Sequence, residues 1–146
     1  MIRLDFRKRG MIMADKSDVT PAKPGNKHEL RYERSEDIIT AEFNGTQVGQ
    51  SSNVLICHES GYPKRYYFPF KDIEQQYLKK TDFQTHCPYK GNASYWTLSV
   101  QGKKEENALW GYEDPSRDAL KLRGRVSFYA TKVDISIRDN KIKKFK

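Results

Sequence analysis

Turn-forming residues punctuate this chain repeatedly, and the short runs between them restrict it to short strands. Asn44-Gly45, Ser60-Gly61-Tyr62-Pro63, Pro88 with Gly91, Gln101-Gly102 and Gly124 are the markers. Between them lie runs rich in β-branched and aromatic residues: Ile38 to Phe43, Asn53 to His58, Arg65 to Phe68, Ala93 to Val100, Glu106 to Tyr112, Arg125 to Tyr129 and Val133 to Ile137. Such residues suit a pleated, half-buried surface. Asn44-Gly45 favours a type I′ hairpin into Thr46-Gln47-Val48, because both central residues of that turn need positive φ. Two places read as helical turns. Ile73 and Tyr77, four apart, suggest one between Pro69 and Leu78. Asp114-Pro115 suggests another, with Asp as N-cap, Pro at the first helical position, and Leu120 and Leu122 closing it. The expectation is mainly β: a single compact domain of short, coiled antiparallel sheets with one or two short helices.

The net charge of +8 invites a nucleic-acid partner, so its placement matters. Residues 1–27 hold seven Lys and Arg against three acids, and residues 138–146 hold five against one. The middle, residues 28–137, carries fifteen of each. The basic excess therefore belongs to the ends. Residues 1–28, with the linker-like Thr20-Pro21-Ala22-Lys23-Pro24-Gly25-Asn26, are expected to be a flexible basic tail. Residues 29–138 form the expected β domain, and 139–146 a second basic tail. Met13-Ala14-Asp15-Lys16 reads as an alternative start. Nucleic acid is not the expected partner, since Arg65-Tyr66-Tyr67-Phe68 is the one run mixing basic and aromatic residues as RNA-binding sheets do. No apolar run approaches the roughly 20 residues of a membrane helix. Met1 to Arg9 lacks the apolar segment of a secretory signal, and two cysteines do not make a disulfide framework. A cytoplasmic protein without membrane attachment is expected.

The densest chemistry lies in His86-Cys87-Pro88-Tyr89-Lys90-Gly91-Asn92-Ala93-Ser94-Tyr95-Trp96. Pro88 and Gly91 bracket a bend, which puts Cys87 and Lys90 on a tight loop feeding a strand. Along that strand Trp96, Leu98 and Val100 share one face, expected to be core. Tyr95, Thr97 and Ser99 share the other, expected to look into a pocket. Cys87 is a candidate nucleophile, since neighbouring cations favour a thiolate; the alternative is a small buried thiol that fixes the loop. His86 alternates to the opposite side and is badly placed to act as its base. The same alternation argues against zinc at Cys57, His58, His86 and Cys87, and no metal or cofactor is expected. Lys90 either meets an anionic group or faces solvent. Glu59 heads a turn and either caps it or is a second catalytic candidate, as a general base or as a partner for Lys90 or Arg65. Tyr62, Tyr66, Tyr95 and Trp110 could line a pocket for a flat ligand, or fill volume in a core short of Leu and Ile.

These residues also carry a resemblance. The run His86 to Trp96 resembles the signature of the domain-of-unknown-function family four-two-seven, which bears a nucleotidyltransferase-like label. Glu59-Ser60-Gly61-Tyr62-Pro63, Tyr66-Tyr67-Phe68-Pro69, Ala108-Leu109-Trp110-Gly111-Tyr112 and Gly124-Arg125-Val126-Ser127-Phe128-Tyr129 extend it over about residues 36–135. The resemblance implies a small compact β fold similar to the coiled-sheet β-tent of Mss4-like proteins, with no established activity. Nucleotidyl transfer needs carboxylates converging on Mg²⁺ and a cradle for a triphosphate. The sequence has no phosphate-binding Gly-rich loop, and its nearest acidic pair is Asp72-Ile73-Glu74. Two functions remain open. One is a small-molecule-binding β domain, with or without enzymatic activity, whose ligand sits among Lys90, Tyr95, Tyr62, Tyr66, Glu59 and Trp110. The other is an interaction module that holds a protein or single-stranded nucleic acid through an aromatic face and the basic tails.

Overall fold

The computed structural model describes residues 2–3 and 29–139. Most of the two segments read as basic tails lies outside the described residues. Ile2–Arg3 (β1), however, pairs antiparallel with Ser136 and Ile137. The other strands are β2 (Leu30–Ser35), β3 (Ile38–Phe43), β4 (Thr46–Ser51), β5 (Val54–Glu59), β6 (Arg65–Pro69), β7 (Leu78–Cys87), β8 (Gly91–Val100), β9 (Lys103–Gly111), β10 (Arg125–Phe128) and β11 (Asp134–Arg138). Among the described residues they form two antiparallel sheets, one in the order β1-β11-β3-β4 and one in the order β2-β5-β6-β10-β9-β8-β7. The chain is mainly β, as the turn spacing requires. Asn44 and Gly45 both take positive φ (52° and 78°), the type I′ pattern.

The larger sheet is buried on both faces. One face packs on the smaller sheet, where Ile39, Ala41, Phe43, Val48 and Ile135 meet Val54, Phe68, Leu98, Val100 and Leu109. Its other face holds a second core of Leu55, Cys57, Tyr67, Cys87, Tyr95, Trp110, Tyr112 and Tyr129. Alternation along single strands feeds both cores: Tyr67 and Phe68, Tyr95 and Trp96, and Trp110 and Leu109 part to opposite sides. The Trp96, Leu98 and Val100 face is therefore core, as expected. The Tyr95 face is core as well, which the sequence does not suggest.

Two strands depart from the sequence expectation, β2 and β7, and they are the two edges of the larger sheet. Leu30-Arg31-Tyr32-Glu33-Arg34-Ser35 and Leu78 to Cys87 are rich in charged residues, because an edge strand exposes much of its length to water. The helical turns are short 3₁₀ turns at Phe70–Asp72, Gln75–Tyr77 and Arg117–Leu122. The last begins after Ser116, not at Asp114-Pro115, and no side chain caps it. Ser116 instead donates its hydroxyl to the Tyr89 carbonyl at 2.7 Å, and Asp114 reaches Arg123 at 3.4 Å. Tertiary partners outweigh the local capping signal here.

Trp96 is 7% exposed and tilts against Phe70 at 5.4 Å, whereas Phe83 on β7 is 40% exposed. Trp96→Ala is expected to cost about 3–5 kcal/mol through the cavity it leaves, and Phe83→Ala under about 1.5 kcal/mol. Urea denaturation of the two variants beside the parent checks this contrast.

Candidate functional site

In a flat sheet, Glu59 at the end of β5 and Lys90 in the β7–β8 turn would be far apart. Three strands lie between β5 and β8, so at about 4.8 Å per strand the separation would be roughly 19 Å. Lys90 Nζ lies 2.5 Å from Glu59 Oε1. The sheet therefore rolls until its two ends meet across the second core, and this ion pair is where they meet.

Local sequence sets each partner. Tyr62 N–H donates to the Glu59 carbonyl at 3.0 Å, which closes the Glu59–Tyr62 turn. Glu29 and Ser60 pin that turn to the start of β2 through Ser60 N to Glu29 O (3.0 Å) and Glu29 N to Ser60 Oγ (2.9 Å). On the other side, Lys90 N–H reaches back to the Cys87 carbonyl at 3.3 Å, and Ser116 N–H donates to the Lys90 carbonyl at 2.8 Å. Gly91 makes this docking possible. It takes φ +109°, and a Cβ there would lie 3.2 Å from Ser116 N and 3.4 Å from Asp114 O.

Lys90 and Glu59 are both buried, their side chains 6% and 2% exposed. The Lys90 ammonium also lies 5.9 Å from the Tyr62 ring centre and 6.0 Å from that of Tyr112, a distance at which aromatic faces attract cations. Burial alone would push this ammonium's pKa down. At neutral pH the Glu59 carboxylate and its hydrogen bond oppose burial, and the ammonium's pKa stays above the ordinary lysine value. Lys90 is thus a fixed charge and not a neutral amine, so it does not serve as an imine-forming nucleophile.

Beside the pair is a small chamber of about 10 Å³ lined by Glu59, Tyr62, Arg65, Tyr67, Cys87, Lys90 and Trp110. That is room for one water-sized atom. Outside it lies an open cleft of about 610 Å³ bordered by Leu30, Arg31, His58, Glu59, Tyr62 and Lys64. Glu59 and Tyr62 belong to both, and form the wall between chamber and cleft.

The structure brings together Glu59, Tyr62, Lys90, Trp110 and Cys87 of the residues singled out in the sequence. It places two elsewhere. Tyr66 points to the opposite face of β6 and packs on the first core. Tyr95 is fully buried behind the chamber, its hydroxyl 2.8 Å from Thr85 Oγ1 and its ring 4.8 Å from Phe83. Arg65, which the sequence offers as a partner for Glu59, and Tyr67, which it places only in the run Arg65 to Phe68, join the site. Strand alternation carries the signal, because Arg65 and Tyr67 share a face of β6, and Cys57 and Arg65 are register partners.

Cys57 and Cys87 are free thiols, 1% and 2% exposed. Burial pushes the Cys57 thiol from 9.0 up to about 11, with Lys90 opposing the rise, and burial raises Cys87 as well. Both are protonated at neutral pH, which fits the reading of Cys87 as a packed thiol. His86 Nδ1 contacts Asn92 Oδ1 at 2.7 Å across the hairpin, and His58 contacts Glu33 at 3.0 Å on the other strand face. Among the described residues no three His, Cys, Asp or Glu side chains converge as a metal site requires.

Fold and site together define a two-sheet β domain with a buried Lys–Glu pair at the mouth of its second core. The chain belongs to the family described as a domain of unknown function, DUF427, whose model matches residues 31–139. A comparison with curated proteins gave no match.

Lys90→Met removes the ammonium that faces the buried Glu59 carboxylate and is expected to destabilise the protein by about 3–5 kcal/mol. Adding Glu59→Leu should restore most of that loss, as urea denaturation of the single and double variants would reveal. The thiols give a second expectation. Above pH 9 the unfolded chain surrenders the Cys57 proton, whereas the folded chain keeps it to about pH 11. Stability should therefore fall across that window, by up to about 1.4 kcal/mol per pH unit from this group. Cys57→Ala should flatten the slope, and neither thiol should react with iodoacetamide in the native protein.

Proposed function

We propose that this domain binds a small molecule in the cleft above the Lys90–Glu59 pair, with the head of the ligand reaching toward the buried chamber. The observation that carries the reading is that Glu59 and Tyr62 line both spaces. A ligand in the cleft meets the wall of a site that already holds a desolvated charge pair, where polar contacts are stronger than in water. Tyr62 is only half-buried, and a change of its rotamer would join the two spaces. The scale of the cleft falls within that of ordinary ligand sites.

The reading as an interaction module has less support. Tyr67, Tyr95, Trp110 and Tyr112 are in the second core, and the large apolar side chains exposed among the described residues are Phe83 and Leu120. They do not make an aromatic face. Catalysis at Cys87 is likewise disfavoured by its protonated, buried thiol, while Glu59 keeps the geometry of a carboxylate at the edge of a cleft.

A thermal-shift screen of small metabolites tests the proposal. Compounds that stabilise the parent should bind the Tyr62→Ala variant at least about tenfold more weakly, although that substitution alters stability by only about 1 kcal/mol. Hits that bind Tyr62→Ala unchanged would move the site away from this cleft.

A further inference from the structure

We infer that the buried chamber is an oxyanion site, which receives one oxygen of a small carboxylate while the rest of the ligand lies in the outer cleft. This rests on the cleft being a small-molecule site and adds the chemical class of what enters it.

The enclosed groups at the chamber without a completed hydrogen bond include two that can donate, the Trp110 indole N–H and the Tyr67 hydroxyl. Trp110 Nε1 can only donate, and it is fully enclosed without a completed hydrogen bond. The Tyr67 hydroxyl is also enclosed and without a completed hydrogen bond. The indole N–H leans toward the phenol oxygen and opposes the rise of its pKa, as a partial hydrogen bond does, which leaves the phenol O–H to donate. Lys90 has three N–H groups, of which Glu59 takes one. Arg65 contributes a guanidinium 5.8 Å over the Trp110 ring, and among the described residues it has no carboxylate partner. A buried donor left unmatched is costly, so these groups together favour an acceptor.

Charge gives the same sign. Lys90 and Arg65 face the chamber as cations and Glu59 as the one anion, which leaves a formal excess of one positive charge. Glu59 lies against Lys90 and is the wall, not the floor, so the floor made by Tyr67, Trp110 and Arg65 is electropositive. A metal cation would meet donors of the wrong polarity.

Size separates the anions. About 10 Å³ admits one oxygen atom. A phosphate or sulfate would also enter by one oxygen, but its three others would crowd the neck between Glu59 and Tyr62 more than a planar carboxylate does. A planar carboxylate can place one oxygen inside while its carbon sits in the neck between Glu59 and Tyr62.

The test uses the full chain labelled with ¹⁵N. The protein has two tryptophans, so its indole N–H signals are two, and Trp110→Phe assigns them. Sodium formate and acetate are titrated beside formamide and acetamide, with sodium chloride holding ionic strength constant. The Trp110 signal should move saturably with both carboxylates and stay put with both amides, while Trp96 is unaffected. Tyr67→Phe should weaken formate binding by about tenfold or more, since it removes a hydrogen bond to a charged group. Arg65→Gln, at a half-exposed position, should do the same without endangering the core. Amides that shift Trp110 as strongly as carboxylates would overturn the anion assignment and leave the cleft intact. No response to any of the four probes, with metabolite hits still dependent on Tyr62, would overturn the chamber's role alone. Absence of both responses would remove the cleft reading too.

Discussion

The contact between Lys90 and Glu59 closes the larger sheet on itself, and the rest of the second core depends on that closure. Removing two charges from water is costly, and their attraction repays the loss only with good geometry and further polar contacts. Both are present: a 2.5 Å approach, and two aromatic rings about 6 Å from the ammonium. An apolar pair could close a rolled sheet as firmly. What it could not do is set a fixed positive charge beside a chamber whose other walls are an indole N–H, a phenol and a guanidinium. Under the proposed function, closure and recognition share one interaction.

Burying both faces of one antiparallel sheet imposes a second constraint. The smaller sheet covers one face, and the other must find cover by curling around its own side chains. Large rings fill that interior: Tyr67 meets Trp110 edge-on at 6.3 Å, and Trp110 lies 4.5 Å from Tyr129. Ala119 and Leu122 of the last 3₁₀ turn complete it, and the Tyr32 hydroxyl donates to the Asp118 carbonyl at 3.1 Å, tying the edge strand β2 to that turn. The aromatic richness between Tyr62 and Tyr112, which from sequence suggests a ligand-binding surface, is in large part the volume of this interior.

Reactive groups at the site are restrained by the same burial. Cys57 and Cys87 are kept protonated, and Lys90 is kept charged, so neither nucleophilic thiol nor imine chemistry has its starting species. What the site retains is a carboxylate at a cleft edge and a set of donors behind it. That combination is suited to holding and orienting a polar molecule.

Strand positions, the Asn44-Gly45 hairpin, the bend from Pro88 to Gly91 and the opposed faces of Tyr95 and Trp96 were all legible in the residues, because turn chemistry and period-two alternation are local. The edge strands β2 and β7 were not, since their exposed, charged faces erase the alternation. Asp114-Pro115 misled because Ser116 spends its hydroxyl on Tyr89 and the helical turn starts later. Sequence could place Lys90 on a loop and Glu59 at the head of a turn, and it could offer them as partners. Only the tertiary structure decided that they meet, that Tyr67 replaces Tyr66 at the chamber, and that Tyr95 is sealed behind it. The physical reason is that alternation says which side chains share a face, whereas the curl of a sheet decides which faces meet, and curl is a property of all seven strands together.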